Sequence, residues 1–475
     1  VHMGYVNRGN VNENDLGLNK SPAVESSIDS NIFKTASLTS HDKNSETVTC
    51  SSIPVELKRK ITSFNKYSDL GDMWRQRYGT DTFADDIEEI YKTMEPLYLE
   101  LHAYIRRKLY NHYGAEHVDL KGPLPAHLAG DMWGMFWDSL LGIALPFPDK
   151  PDVVPSAETM KRLNFDTIKM FKTGDNFYAN LGMYRVPQTF WNYSILRKPE
   201  DGRKMNCHPT AWDFSDGKDY RIRMCASDFK FKDLQIIHHE LGHIQYHQQY
   251  KNQPYVYRNS ANDGFGEAIG ELMALVSSTP SYLSQLGLLD NYTQDDTQQN
   301  LNFLMSQALI TVSALPFYLA YDQWSWNIFS GDIPMENWNA EFWRLKRKIV
   351  GVVPAIKRNN NLNLDGATIF HTIHNFDMIR YFTRTILQFQ FFETLCKTSG
   401  HTGPLHRCNF SGSKAAGDKL AEMLQLGTSL PWPHVLEKLT GARRMSSQPI
   451  LTFFEPLHKW LQMENSRNGD VVGWS

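Results

Sequence analysis

The chain has 475 residues, 41% hydrophobic and 12% aromatic, with a formal net charge of −3 spread over interspersed acids and bases. That length can bury a large core and would permit two or three domains, while the charge balance argues against nucleic acid or an anionic membrane as the main partner. No uncharged apolar run reaches the ~18 residues of a membrane span. The nearest, Leu301 to Tyr321, contains Asn302, Ser306, Gln307, Ser313 and Pro316, which predicts a buried helix.

Residues 1–55 are rich in Asn, Ser, Asp and Lys without sustained periodicity, and are predicted to be irregular or disordered. No leader-type apolar segment is visible at the start, which reads Val1-His2-Met3. From Glu56 the pattern turns helical, with Trp74, Tyr78, Ile87, Tyr91, Met94, Leu101 and Ile105 recurring through Leu109. Lys121 to His127 is a loop, and Leu128–Ala144 is predicted as an apolar helix ending before Pro146. Ser156–Leu181 predicts a helix pair. Cys207 to Phe214 and Tyr220 to Cys225, with Ser215-Asp-Gly217 between them, predict a β-hairpin.

Asp233 to Tyr250 holds His239-Glu240-Leu241-Gly242-His243. On a helix, positions four apart share a face, so the two imidazoles can point at one metal ion. Glu240 follows the first of them, where its carboxylate can take a proton from a metal-bound water. Leu234, Ile236, Ile237, Leu241 and Ile244 supply the apolar side of the helix. Two core histidines at this spacing by chance are the plain alternative. Asp263 then opens a second helical pattern containing Glu267, far enough on for a return helix and a third ligand, which leaves a tetrahedral zinc one open position. Glu271, one turn later, can accept the other ring N–H of a ligand histidine. Acids at a helix start are also common without any metal.

Further helices are predicted at 281–288, 297–328, 336–349, 376–399, 412–426, 430–439 and 448–464, giving one mostly helical domain, 56–475. The five cysteines, Cys50, Cys207, Cys225, Cys396 and Cys408, form two close pairs with one left over, a pattern that fits two short-loop disulfides without proving them. Sequons at Asn192, Asn291 and Asn409 are compatible with a glycosylated extracellular protein.

His238 to Tyr246, together with Phe265 to Gly270, resembles the angiotensin-converting enzyme family of zinc peptidases. Gly122 to Leu128, Asp131 to Trp133, His208 to Asp213, Ile379 to Phe382, Gln388 to Phe391 and Gly400 to His406 carry the same resemblance, which runs from about Tyr67 to the C-terminus. It implies an all-α fold with a small hairpin before the zinc helix, shaped as a two-lobed ellipsoid with a deep central channel. It further implies His239, His243 and Glu267 as zinc ligands and Glu240 as general base, with Glu271 supporting a ligand histidine. His371 and Tyr381 would stabilise the tetrahedral intermediate, and His208 and Ala211 would bind substrate. Tyr78 and Arg380 would hold one activating chloride. Cys207–Cys225 and Cys396–Cys408 would be disulfides, leaving Cys50 unpaired.

Departures accompany the resemblance. Where dipeptide-releasing members grip the substrate carboxylate with Gln, Lys and Tyr, this chain aligns Met135, Ile369 and Met378. Phe342 and Lys346 replace residues of a second chloride site, Gly266 replaces a His, and the first seventy residues do not resemble the helices over the family's channel mouth. The expected function is therefore an extracellular zinc peptidase acting on small peptides near the C-terminus. Single-residue removal, cleavage of amidated or blocked peptides, and a low-turnover zinc-containing binding protein are the alternatives.

Overall fold

The computed structural model describes residues 62, 66–151, 153–289, 292–359, 363–369 and 376–475. The segment 1–55, Cys50, the Asn291 sequon and His371 lie outside the described residues.

The described chain is all-α with two small sheets. In order it contains α1 (Leu70–Gln76), α2 (Phe83–Tyr113), β1 (Leu124–Pro125), α3 (Leu141–Ala144), α4 (Ala157–Arg162), α5 (Thr167–Asn180) and α6 (Gln188–Tyr193). The hairpin β2 (Thr210–Asp213) and β3 (Tyr220–Arg223) follows, then α7 (Phe231–Gln249), α8 (Asp263–Ser278), α9 (Pro280–Gln285), α10 (Thr297–Thr311), α11 (Leu315–Ser330) and α12 (Trp338–Leu345). Strand β4 (Val352–Val353) precedes α13 (Ile379–Thr398), α14 (Lys414–Leu424), α15 (Trp432–Thr440) and α16 (Gln448–Asn468).

The hairpin is antiparallel as expected, pairing Thr210 with Arg223 and Asp213 with Tyr220. Its turn uses positive φ at Ser215 and Gly217. The predicted helix 297–328 is two helices, because the chain turns at residues 312–314 and Pro316 starts α11. Thr297–Ser330 is long and apolar enough to cross a membrane by length and composition, and its apolar window is mostly buried within the protein. The helix predicted over Leu128–Ala144 is a correction: only Leu141–Ala144 is α-helical. The Asp131 carboxylate accepts hydrogen bonds from the amides of Trp133, Met135 and Phe136 at 2.8, 3.0 and 3.0 Å, giving these N–H groups an alternative to a helical ladder. Gly130 and Gly134 add positive φ values of 88° and 64°, which end helical geometry at both places.

The chain groups into two compact units. One comprises Leu145–Ser306 and Thr383–Leu457; the other takes the described residues up to Ala144, Gln307–Phe382 and His458–Ser475. In the first unit α7 packs against α8, α5 and the hairpin. Leu234, Ile237, Leu241 and Ile244 are buried along it, each worth ~1.5–3 kcal/mol relative to exposure. Phe389, Phe392, Phe453 and Phe454 form an aromatic cluster in the same unit.

In the second unit β1 and β4 pair in parallel, Leu124 with Val352. Buried Arg106 on α2 donates to the carbonyls of Gly122, Gly473 and Val471, so the chain's last residues are fastened to α2. The Trp474 ring lies against buried His102 at 4.6 Å, tilted by 40°.

Candidate metal centre and active site

Helix α7 begins at Phe231 and carries His239 and His243 on one face. The neighbouring His238 points into the core instead. Its Nδ1 meets the Leu234 carbonyl at 2.8 Å and its Nε2 the Tyr282 hydroxyl at 3.3 Å, and burial lowers its pKa to about 4. Tyr178 on α5 donates to the His238 carbonyl at 2.6 Å, which fixes the backbone directly before the motif.

The return helix α8 is started by Asn262, whose side-chain oxygen accepts from the amides of Gly264 and Phe265. The Tyr246 hydroxyl accepts from Ala261 N–H at 3.1 Å, tying the loop before α8 back to α7. The two helices cross where both lack side chains: a Cβ on Gly242 would lie 3.2 Å from Gly270 Cα. A Cβ on Gly270 would lie 2.7 Å from the His239 ring, so the imidazole lies against bare backbone of α8.

This crossing brings His239, His243 and Glu267 together, with their ligand atoms all within 4.8 Å of one another. The two Nε2 atoms are 3.0 Å apart, and Glu267 Oε2 is 3.7 Å from His239 Nε2. Zinc–nitrogen bonds of ~2.0–2.1 Å in a tetrahedron require a comparable nitrogen spacing, ~3.3 Å. Two imidazoles and one carboxylate, converging from the faces of two helices, fit zinc. Burial holds His243 down to about 4, with His239 adding to the effect, so its ring is neutral and keeps a lone pair to donate.

On its other side, His239 Nδ1 faces Glu271 Oε1 at 3.5 Å, the position anticipated for that glutamate. Sequence reasoning missed what holds Glu271. Arg384 on α13 donates to the same oxygen at 2.6 Å, and Gln388, one turn on, donates to the Glu271 carbonyl at 3.0 Å. Burial raises the Glu271 pKa, but Arg384 and then His239 outweigh it and leave it lowered, hence an anion. An anionic Glu271 this close favours the His239 tautomer with its proton on Nδ1, which would leave Nε2 free for a metal. The available signal was an arginine in line with Arg380 and Gln388 along one face of a largely apolar helix; its partner could not be read, being 113 positions away.

Glu240 is buried, 6% exposed. Burial, with the charge of Glu267 second, pushes its pKa up to about 8. His208 lies at the surface by area yet close enough to the fold that burial lowers its pKa; Glu267 opposes this and Arg223 and His239 reinforce it, so His208 stands within electrostatic reach of the cluster. Ala211 is half-buried on β2, and among the described residues β2 pairs only with β3, leaving its outer edge without a strand. Tyr250 at the end of α7 donates to Asp213 at 3.1 Å, securing that hairpin to the metal-bearing helix. The Cys207–Cys225 disulfide closes the hairpin next to His208, and Cys396–Cys408 closes the loop after α13.

Three expected positions that the structure describes fall in the second unit. Tyr381 packs its ring against Tyr318 at 5.7 Å, and Tyr78 stacks on Phe83 at 4.0 Å. Arg380 is ion-paired with Asp377, so the residues around it do not fit an added anion. Of the positions aligned with the carboxylate grip, Ile369 and Met378 are buried and Met135 is half-buried on the Asp131 loop.

A buried helix crossing that offers two imidazoles and a carboxylate to one metal, with a second carboxylate beside it, is the site of a metallopeptidase fold class. Residues 28–474 match the peptidase family described as angiotensin-converting enzyme, and the chain belongs to that family. The match begins at residue 28, upstream of Tyr67, where the resemblance was expected to start. Over 420 residues, 88% of this chain, it is 45% identical to angiotensin-converting enzyme of Mus musculus and 44% identical to that of Rattus norvegicus; for Bos taurus the figure is 43%. The chain spans about a third, 32%, of the length of these relatives.

Proposed function

We propose that this chain is a zinc metallopeptidase whose residues 56–475 act as one catalytic domain on small peptides outside the cell. The observation that carries the reading is the convergence of His239, His243 and Glu267 within 4.8 Å, with buried Glu240 beside them. Zinc, held by those three, would supply Lewis acidity toward the peptide carbonyl. Glu240 would act as general base, taking the proton of the attacking water and passing it on; burial and the Glu267 charge disfavour its ionised form, and the zinc cation, when bound, would offset both. The outer edge of β2 at Ala211, with His208 at its base, would receive the substrate backbone as an added strand. On the resemblance alone, Tyr381 and His371 are assigned to the oxyanion.

Peptidyl-dipeptidase action is the family's implied activity. Met135, Ile369 and Met378 offer no cation to a terminal carboxylate, and an unpaired carboxylate in apolar surroundings is costly. We therefore propose a preference for amidated, blocked or internal bonds over free C-termini. The two disulfides and the Asn192 and Asn409 sequons support an extracellular setting.

Glu240→Gln tests the core of this reading. The variant should retain stoichiometric zinc by elemental analysis and lose hydrolysis by ~10²–10⁴-fold, the usual share of a general base. Undiminished cleavage would remove Glu240 from the mechanism. Zinc-loaded wild type that cleaves nothing in a peptide library would favour a binding protein.

A further inference from the structure

The family resemblance implies chloride on Tyr78 and Arg380, and the surroundings of Arg380 disagree. Arg380 is 7% exposed in the first turn of α13. Its Nε donates to Asp377 Oδ1 at 3.0 Å and to the Asp377 carbonyl at 3.2 Å, and its Nη2 donates to the same Oδ1. Asp377 is 1% exposed, so the pair is shielded from water. The guanidinium also lies over the Phe376 ring, 5.0 Å from its centroid.

A second carboxylate belongs to the same cluster. Asp322 on α11 is fully buried and accepts from the amides of Met378 and Ile379, each at 2.9 Å. Burial first, and the charge of Asp377 second, push its pKa up to about 8. With Asp322 protonated, the three side chains sum to zero; with it ionised, they sum to one negative charge. Neither state presents a net cation to an approaching anion. Chloride at the guanidinium would also face the Asp377 carboxylate in a region with little water to screen the repulsion.

We propose that Asp377 is a built-in anion that takes the place of chloride at Arg380, making this position independent of halide. The carboxylate neutralises Arg380 from within the chain, two residues before the start of α13, and fixes the guanidinium at the head of that helix. The proposal goes beyond the peptidase reading, and only its kinetic arm depends on that reading.

The deciding measurement is anomalous scattering from crystals of the zinc-loaded protein soaked in bromide. Wild type should show no bromide peak at Arg380, and a peak there would overturn the proposal. The variants Asp377→Asn and Asp322→Asn/Asp377→Asn should acquire one, the second because it also removes the other carboxylate described in this cluster; absence of the peak from both would equally overturn it. In parallel, wild-type peptide hydrolysis should change by less than ~2-fold when chloride is replaced by acetate at constant ionic strength, whereas the variants should gain a chloride-dependent rate. A chloride-activated wild type whose activation is lost in Arg380→Gln would contradict the proposal. A protein that hydrolyses nothing would remove the peptidase reading and leave the bromide result to decide this one.

Discussion

Gly270 has no side chain because the His239 ring occupies the space one would need, 2.7 Å from an added Cβ. Gly270→Ala should push the imidazole out of line and weaken zinc binding by ~10–100-fold, as loss of an outer support does. Competition with a chromogenic chelator measures this, and unchanged affinity would show that the ring can shift without cost. Arg384→Gln should weaken zinc by a similar factor by removing the cation that keeps Glu271 ionised. The pairing of His239 with His243 on one face was legible, since a spacing of four on a helix is a local rule. Gly270 and Arg384 were not. A glycine in a helix reads only as a cost of ~1 kcal/mol until its neighbour is known, and the partner of Arg384 is distant in sequence.

Among the elements, the hairpin and the two helices of the metal centre follow from local period and turn chemistry. The segment 128–144 does not, because its apolar residues look helical while the Asp131 carboxylate caps three of its amides. That loop is also held from α12's end: buried Lys346 donates to the Trp133 carbonyl and lies over the Phe317, Trp343 and Phe342 rings at 4.7, 5.5 and 5.9 Å. Burial lowers its pKa to about 7, with Asp131 partly opposing. Between about 7 and the ~10.4 of a free lysine, the unfolded chain binds a proton that the folded chain does not. This residue's contribution to stability must therefore rise with pH across that window and be lowest below about 7. Lys346→Met should flatten the dependence of the thermal midpoint on pH between 7 and 10 relative to wild type; parallel profiles would mean that Lys346 titrates normally. Opening the Cys207–Cys225 loop by replacing both residues with Ser should cost ~3 kcal/mol for its separation of 18 residues. It should also raise KM more than it lowers kcat, because it slackens the strand beside His208 while leaving α7 and α8 intact.

For the molecule as a whole, zinc is expected to act as a structural ligand as well as a catalytic one. At a thousandfold excess over Kd it should stabilise the native state by ~4 kcal/mol. Chelation should therefore lower the thermal midpoint and abolish hydrolysis together, and calorimetry with and without chelator checks it. One peptide library, with free and amidated C-termini in parallel, reads the proposed cut preference by mass spectrometry. Dipeptides released mainly from free ends would mean that a cation outside the three aligned positions holds the carboxylate. The fold class was open to sequence reading because most of the chain is amphipathic helix. The parallel pairing of Leu124 with Val352 was not, since two-residue strands carry no period and their partners are far apart in sequence.

The hairpin crosslink has a practical consequence for anyone producing the protein. His239, His243 and Glu267, the proposed zinc ligands, sit on α7 and α8, whose residues form no disulfide, whereas the strand proposed to receive substrate is closed by Cys207–Cys225. Under the proposed reading, loss of that crosslink in a reducing compartment is expected to impair peptide capture more than zinc binding, with the Cys396–Cys408 crosslink of α13 lost at the same time. Metal content is thus an inadequate quality check for this chain, and a free-thiol assay should accompany it.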